Sequence, residues 1–129
     1  MSKLPKVAYF CMEYAIESNV KLYAGGLGIL AGDYMKEACD NDYPVIGIGI
    51  KWKQGYGEQL IDKETNMPYD AYINRTYDFL KDTGVTVSVK INGRDVKIKV
   101  WKYDAHGVNN LYLLDTDVDG NDGDARWIT

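Results

Sequence analysis

Between Val7 and Met12 the chain reads VAYFCM, an unbroken apolar run bounded by Pro5 and Glu13. Such a run predicts a strand covered on both faces, as in a parallel sheet. A polar segment, IESNVKLY, leads to a different pattern. From Ile29 onward Leu30, Tyr34 and Ala38 form one ridge and Ala31, Met35 and Cys39 the next, while Asp33, Lys36, Glu37 and Asp40 fall on the other side. The spacing predicts one amphipathic helix, ended by Asn41 as a left-handed terminator, with Pro44 beyond it. VIGIGIKW then alternates, placing Ile46, Ile48, Ile50 and Trp52 on one face and Val45, Gly47 and Gly49 on the other. Two glycines on one face of a strand invite close approach by a helix or another backbone. Strand, helix, strand in this order is a βαβ crossover of a parallel sheet.

The second half alternates more strictly. Val85, Val87, Val89 and Ile91 are followed by Asn92-Gly93, a type I′ turn signal, and by Val96, Ile98 and Val100. A two-residue turn pairs Ile91 with Arg94, and so sets Lys90 opposite Asp95, Val89 opposite Val96, Val87 opposite Ile98 and Val85 opposite Val100. Leu111 to Leu114 adds a strand after a turn around Gly107. The fold class is α/β, a βαβ unit over about residues 1–60 and an antiparallel hairpin patch over about 84–115, within a single domain.

Three glycines in four residues, Gly25, Gly26 and Gly28 around Leu27, stand just before the helical pattern. Glycine tolerates positive φ and carries no Cβ, so the chain can fold tightly there and let another group approach. The unpaired N–H groups and positive dipole end of the helix then face an anion, most simply a phosphate. In parallel sheets ligands collect beyond the carboxyl ends of the strands. Glu13 after the first strand, the glycine loop, and QGYGEQ after the second all emerge at that edge, with Tyr56 and Gln59 at the rim of the predicted cleft.

With 129 residues the chain has one domain's worth of material, and its apolar fraction of 46% is ordinary for a globular protein. No apolar run is long enough for a membrane span and the start lacks the pattern of a secretory signal, so the expected location is cytoplasmic. The net charge of −4 is concentrated: five acids lie between Asp115 and Asp124, leaving 14 acids against 15 bases elsewhere. No basic stripe points to nucleic acid. Cys11 and Cys39 have no ligand-type spacing and read as buried thiols. DTDVDGNDGDAR mimics the start of a calcium loop, but Arg126 stands where the bidentate glutamate belongs and LYLL before it reads as strand, so a solvated acidic loop is expected and no metal site. His106 reads as an exposed turn residue. Glu13 and Glu17 would align only on a helix, which this segment does not predict, and no acid/base pair is assigned.

VAYFCMEYAI, YAGGLGILAGD, PVIGIGIKWKQGYGEQ, and LYLLDTD with RWIT, in this order, resemble the N-terminal part of the α-glucan (glycogen, starch and maltodextrin) phosphorylases, particularly the shorter prokaryotic branch. The resemblance implies a two-domain GT-B type glycosyltransferase in which this chain is part of the N-terminal Rossmann-like domain, the C-terminal cofactor domain being absent. It implies phosphorolysis of α-1,4-glucan by inorganic phosphate to glucose 1-phosphate, with pyridoxal phosphate as cofactor in the full-length enzyme and native homo-oligomers. Gly25, Gly26, Leu27 and Gly28 match the loop that holds phosphate and the glucosyl unit, and Glu13 the acidic residue near the glucosyl site; Tyr56 and Gln59 are assigned to the acceptor side or the cleft edge. Ala24, Ile29 and Gly57 depart from the common asparagine, arginine and aromatic residue. The Schiff-base lysine belongs to the missing domain, so the chain alone is expected to contain no catalytic residue, bind no cofactor and turn over no substrate. An exposed apolar face would make it prone to self-association. The alternatives are a glycogen or starch synthase-like sugar-nucleotide glycosyltransferase and a non-catalytic glucan-binding module.

Overall fold

A computed structural model describes residues 3–129. Strand β1 (Val7–Phe10) leads through an irregular segment to helix α1 (Gly26–Asp40) and then to β2 (Val45–Ile50). A short hairpin, β3 (Glu58–Ile61) and β4 (Pro68–Ala71), is followed by β5 (Lys81–Ile91), β6 (Arg94–Ala105), β7 (Val108–Asp115) and the single turn α2 (Gly123–Arg126). Five strands form one sheet in the order β1-β2-β7-β6-β5, and β3-β4 stand apart as a two-stranded sheet. β1, β2 and β7 run parallel to one another, whereas β6 pairs antiparallel with both β7 and β5. The βαβ unit and the hairpin predicted as separate patches are therefore one mixed sheet, joined by β7 at the side of β2.

The glycine face of β2 carries the helix. A Cβ on Gly47 would come within 3.0 Å of the Met35 side chain of α1 and within 2.9 Å of Leu111, and one on Gly49 within 2.7 Å of the Tyr14 ring. Ala31, Met35 and Ala38 of α1, Leu111 and Leu113 of β7, Tyr103 of β6, and Tyr14, Ile16, Val20 and Leu22 form the core on this side. The last three belong to the segment that reads as polar; its apolar residues anchor it beneath the helix.

Several expectations are corrected. β1 ends at Phe10 and is exposed over most of its length, because it lies at the edge of the sheet, with β2 as its one neighbour among the described residues. On α1 the Ala31–Met35 ridge is buried, but Leu30 and Tyr34 face outward, Leu30 at 65% exposure. The helix starts within the glycine motif, at Gly26, and Gly25, Gly26 and Gly28 are absent from the positive-φ residues. Asn41 caps the helix at φ −106°, and the left-handed residue is Asp42. The β5–β6 register matches expectation from Ile91↔Arg94 to Val87↔Ile98, then shifts between Asp82 and Thr86, so Val85 does not pair with Val100. There the Thr83 hydroxyl donates to the Val100 carbonyl at 2.6 Å. Cys11 and Cys39 are half-buried free thiols. Among the described residues no helix is long and apolar enough to cross a membrane.

Candidate functional site

Glu13 stands on the segment leaving β1, and two local devices fix it. Tyr14, buried beside it, donates its hydroxyl to the Tyr9 carbonyl at 2.7 Å and its N–H to the Leu22 carbonyl at 3.1 Å. Burial pushes the Tyr14 phenol well above its ordinary pKa, so it remains a neutral donor. Ala15 N–H donates to the Gly28 carbonyl at 2.9 Å, tying the segment to the first turn of α1. This contact requires glycines in the helix. A Cβ at Gly28 would lie 2.5 Å from Cβ of Tyr23 and 3.2 Å from Oε2 of Glu13, and one at Gly32 would collide with the Ala15 carbonyl. Gly28 and Gly32 thus serve close approach, whereas a Cβ at Gly25 or Gly26 would meet nothing within 4 Å, and none of the three motif glycines takes the positive φ that the sequence also allowed.

The result is a carboxylate at the N-terminus of α1. Oε2 of Glu13 accepts from Ala24 N–H at 3.3 Å and Gly25 N–H at 3.5 Å, long contacts that leave the group half exposed. Gly28 and Ile29 N–H turn inward to the Gly25 carbonyl at 3.1 and 3.3 Å. Gly26 and Leu27 N–H have no hydrogen-bond partner among the described residues. Two main-chain donors and the helix dipole therefore remain open to a ligand, next to a carboxylate that already holds two others.

These groups border a cavity of about 460 Å³ lined by Met12, Glu13, Lys21, Leu22, Tyr23, Leu27, Trp52, Gly55 and Tyr56. Three segments meet there: the exit of β1, the start of α1 and the segment after β2. Trp52 donates its indole N–H to the Met12 carbonyl at 2.9 Å, which fixes its ring against the exit of β1. Gly55 has φ +62°, and a Cβ there would also approach the Lys21 carbonyl to 3.1 Å, so both torsion and space call for glycine. Tyr56 is 69% exposed, with its ring free to meet a ligand. Gln59 does not line the cavity; it lies on β3 opposite Asp70. Sequence reasoning missed Lys21 and Trp52. Trp52 carried a signal, an aromatic residue at the carboxyl end of a parallel strand; Lys21 carried none.

The acidic loop is not the freely solvated one expected. Asp115 is buried at 4% exposure, accepting from the Trp101 indole at 2.9 Å with Lys51 at 3.5 Å. Asp117 is held by Lys53 at 2.8 Å and Arg126 at 2.7 Å, which lower its carboxyl pKa. Asp122 caps α2 through Ala125 N–H. Arg126 thus takes the place of a cation, and no group of residues able to hold a metal occurs among the described residues. His106 lies exposed in the β6–β7 turn, its Nδ1 2.6 Å from the Tyr103 hydroxyl.

No protein-family model matches the chain. It is 44% identical over 124 residues to an uncharacterised protein of Methanocaldococcus jannaschii, a match covering 95% of this chain and 24% of that protein. It is 39% identical to the maltodextrin phosphorylase of Thermococcus litoralis, over 95% of this chain and 15% of the relative. To the glycogen phosphorylase of Aquifex aeolicus it is 32% identical, over 89% of this chain and 18% of the relative. The chain therefore spans a quarter or less of the length of the curated relatives it matches.

Proposed function

We propose that this chain, a segment related to the maltodextrin and glycogen phosphorylases, supplies one wall of the substrate cleft of an α-glucan phosphorylase, forming part of the N-terminal domain of a GT-B type enzyme. Residues 1–60 would give the parallel βαβ part and 84–115 the hairpin part of that domain. The observation that carries the reading is the pair of unpartnered N–H groups on Gly26 and Leu27, opening beside Glu13 into an aromatic-edged cavity. Backbone donors at a helix N-terminus suit a phosphate oxygen, and a half-exposed carboxylate suits the hydroxyls of a glucosyl unit. An aromatic face such as Tyr56 suits the apolar side of a sugar ring. Gly25 to Gly28 would thus orient phosphate, Glu13 would hold the glucosyl unit, and Tyr56 would lie on the acceptor side. Gln59, outside the cavity, would reach a glucan only along the outer rim.

Pyridoxal phosphate, which the family likeness implies for the full-length enzyme, would supply its phosphate as a proton donor and acceptor. The residues present do not make a site for it. The cavity has one lysine, Lys21, half-buried between the core residues Val20 and Leu22, and among the described residues no further cation lines it. No step is therefore assigned through that group here. The chain alone would hold the anion and sugar only weakly and catalyse nothing, the remaining groups lying in sequence beyond the matched segment.

Two measurements test this. In an amide-resolved NMR titration of the chain with inorganic phosphate or glucose 1-phosphate, Gly26 and Leu27 should shift first; if they stay still while other amides move, the anion assignment fails. A longer polypeptide containing this segment should form glucose 1-phosphate from maltodextrin and phosphate only when pyridoxal phosphate is supplied, and phosphorolysis by the 129-residue chain itself would overturn the reading.

A further inference from the structure

Lys21, the one cation lining the cavity among the described residues, is held by a segment far from it in sequence. Its N–H donates to the hydroxyl of Tyr77 at 2.9 Å, and its carbonyl faces Gly55, where a Cβ would stand 3.1 Å away. On either side Val20 and Leu22 are buried in the core, and Leu22 N–H turns back to the Val20 carbonyl at 2.8 Å. With its main chain caught at both ends, Lys21 is the residue of this turn that stays half-buried. Tyr77 is seated in its turn: its ring lies 5.7 Å from Phe79, which meets the buried Tyr103 edge-on at 5.0 Å. Two residues earlier, Arg75 N–H donates to the Lys53 carbonyl at 2.7 Å. Residues 72–80 form no strand or helix, so these contacts fix their place.

Arg75 decides which charge stays available. Its guanidinium binds Glu58 at 2.8 Å, and its buried Nε has no partner among the described residues, so Glu58 is what compensates a guanidinium taken out of water. The hydrogen bond from Arg75 holds the Glu58 carboxyl below its usual value, and the nearby charge of Lys21 adds to the effect. Glu58 is thus committed to Arg75, and no carboxylate among the described residues pairs with Lys21. We propose that Lys21 is the side chain that takes the charged oxygen of the cavity's ligand, with Tyr77 as its positioning residue and Arg75 keeping Glu58 from neutralising it. The inference rests on the reading of the cavity as a site for sugar and phosphate, and it supplies what that reading lacks. Glu13 beside the free amides of Gly26 and Leu27 repels a phosphate, whereas a lysine bordering the same cavity offsets that charge. The ligand favoured is then an anionic sugar over a neutral one.

The test is a titration of the chain with glucose 1-phosphate, followed at the Gly26 and Leu27 amides. Lys21→Met keeps an apolar stem and removes the charge, and Lys21→Gln does so if the methionine variant does not fold. Either should bind about fivefold more weakly, the effect of one charge at roughly 6 Å with an effective dielectric of about 60, and lose less affinity as salt is added than the parent does. Lys21→Arg should keep both properties. Tyr77→Phe should speed exchange of the Lys21 amide hydrogen and weaken binding by about threefold, the worth of one hydrogen bond, yet weaken it no further in a chain that already carries Lys21→Met. An unchanged affinity or salt dependence in the Lys21 variants overturns the assignment of Lys21, while the response of the amides in the parent upholds the reading of the cavity. Amides that stay still in the parent overturn both. A Tyr77→Phe loss that persists in full beside Lys21→Met, or a Lys21 amide protected as before, would overturn the role of Tyr77.

Discussion

Gly32 offers the sharpest test of how the site is built, because ordinary helix physics and the observed packing predict opposite outcomes there. In the middle of α1, alanine is favoured over glycine by about 1 kcal/mol. A Cβ at Gly32, however, would stand 2.6 Å from the carbonyl carbon of Ala15, nearer still to its oxygen, and 3.2 Å from its nitrogen. All three are backbone atoms of the segment that carries Glu13, and they cannot swing aside as a side chain tip would. Overpacking of this kind costs about 1–3 kcal/mol, and rigid contact atoms place Gly32→Ala at the upper end, for a net loss of about 2 kcal/mol. In a chain of this size about 1 kcal/mol corresponds to roughly 4 °C, so the melting temperature should fall by about 8 °C. Gly26→Ala is the matched control: its Cβ meets nothing within 4 Å, and it should melt at or slightly above the parent. Both are read by circular dichroism at one fixed protein concentration, since association links melting temperature to concentration. If Gly32→Ala melts with Gly26→Ala, the contact between α1 and the Glu13 segment is not what seats the helix, and the geometry of the cleft loses its support.

Two further outcomes follow from charges. Lys53 and Arg126 hold the Asp117 carboxyl below its ordinary pKa, so its stabilisation is present above the unfolded value of about 3.9 and is lost as pH falls through the lower folded value. Urea midpoints measured from neutral to acidic pH should therefore fall more gently in Asp117→Asn than in the parent; parallel curves would show that the pair contributes nothing. Glu13→Gln removes a negative charge beside the free amides, worth about 1 kcal/mol at roughly 6 Å with an effective dielectric of about 60, and should tighten phosphate binding by about fivefold. Unchanged affinity in a phosphate titration would place the anion away from Gly26 and Leu27.

What was legible in the sequence was local. The alternation of Val45 to Ile50 and the Asn92-Gly93 turn each specify their element through neighbouring residues, and β2 and the turn end of the β5–β6 hairpin follow them. The ladder fails where a non-local choice enters, at the shift between Asp82 and Thr86. The β3–β4 hairpin went unread because EQLI and PYDA do not alternate and their turn is built by the Asp62 side chain accepting from Glu64 and Thr65 N–H, at 2.8 Å each, not by an Asn-Gly pair. The position of β7 beside β2 was equally hidden, since an apolar run such as LYLL states that it will be buried and not against which strand. β1 shows the same limit: VAYFCM has the composition of an interior strand yet lies at an edge.

The candidate site divides in the same way. That Glu13, the start of α1 and Tyr56 would meet follows from a topological rule, because three chain segments leaving one edge of a parallel sheet have little room to avoid each other. What each residue does there depends on distances that no spacing encodes. The glycine motif announced a tight loop for an anion, and an anion does sit close to it, but it is the protein's own carboxylate, admitted because Gly28 has no Cβ to exclude Oε2 of Glu13. Of the main-chain N–H groups at this terminus, the first two are thereby satisfied internally and the next two, on Gly26 and Leu27, are left open. A fully charged ligand bound there must tolerate a neighbouring negative charge, whereas one that brings a hydroxyl to Glu13 and a phosphate oxygen to the amides satisfies both. On the proposed reading, the start of α1 and the glutamate would act as one device that favours a sugar with phosphate beside it over phosphate alone.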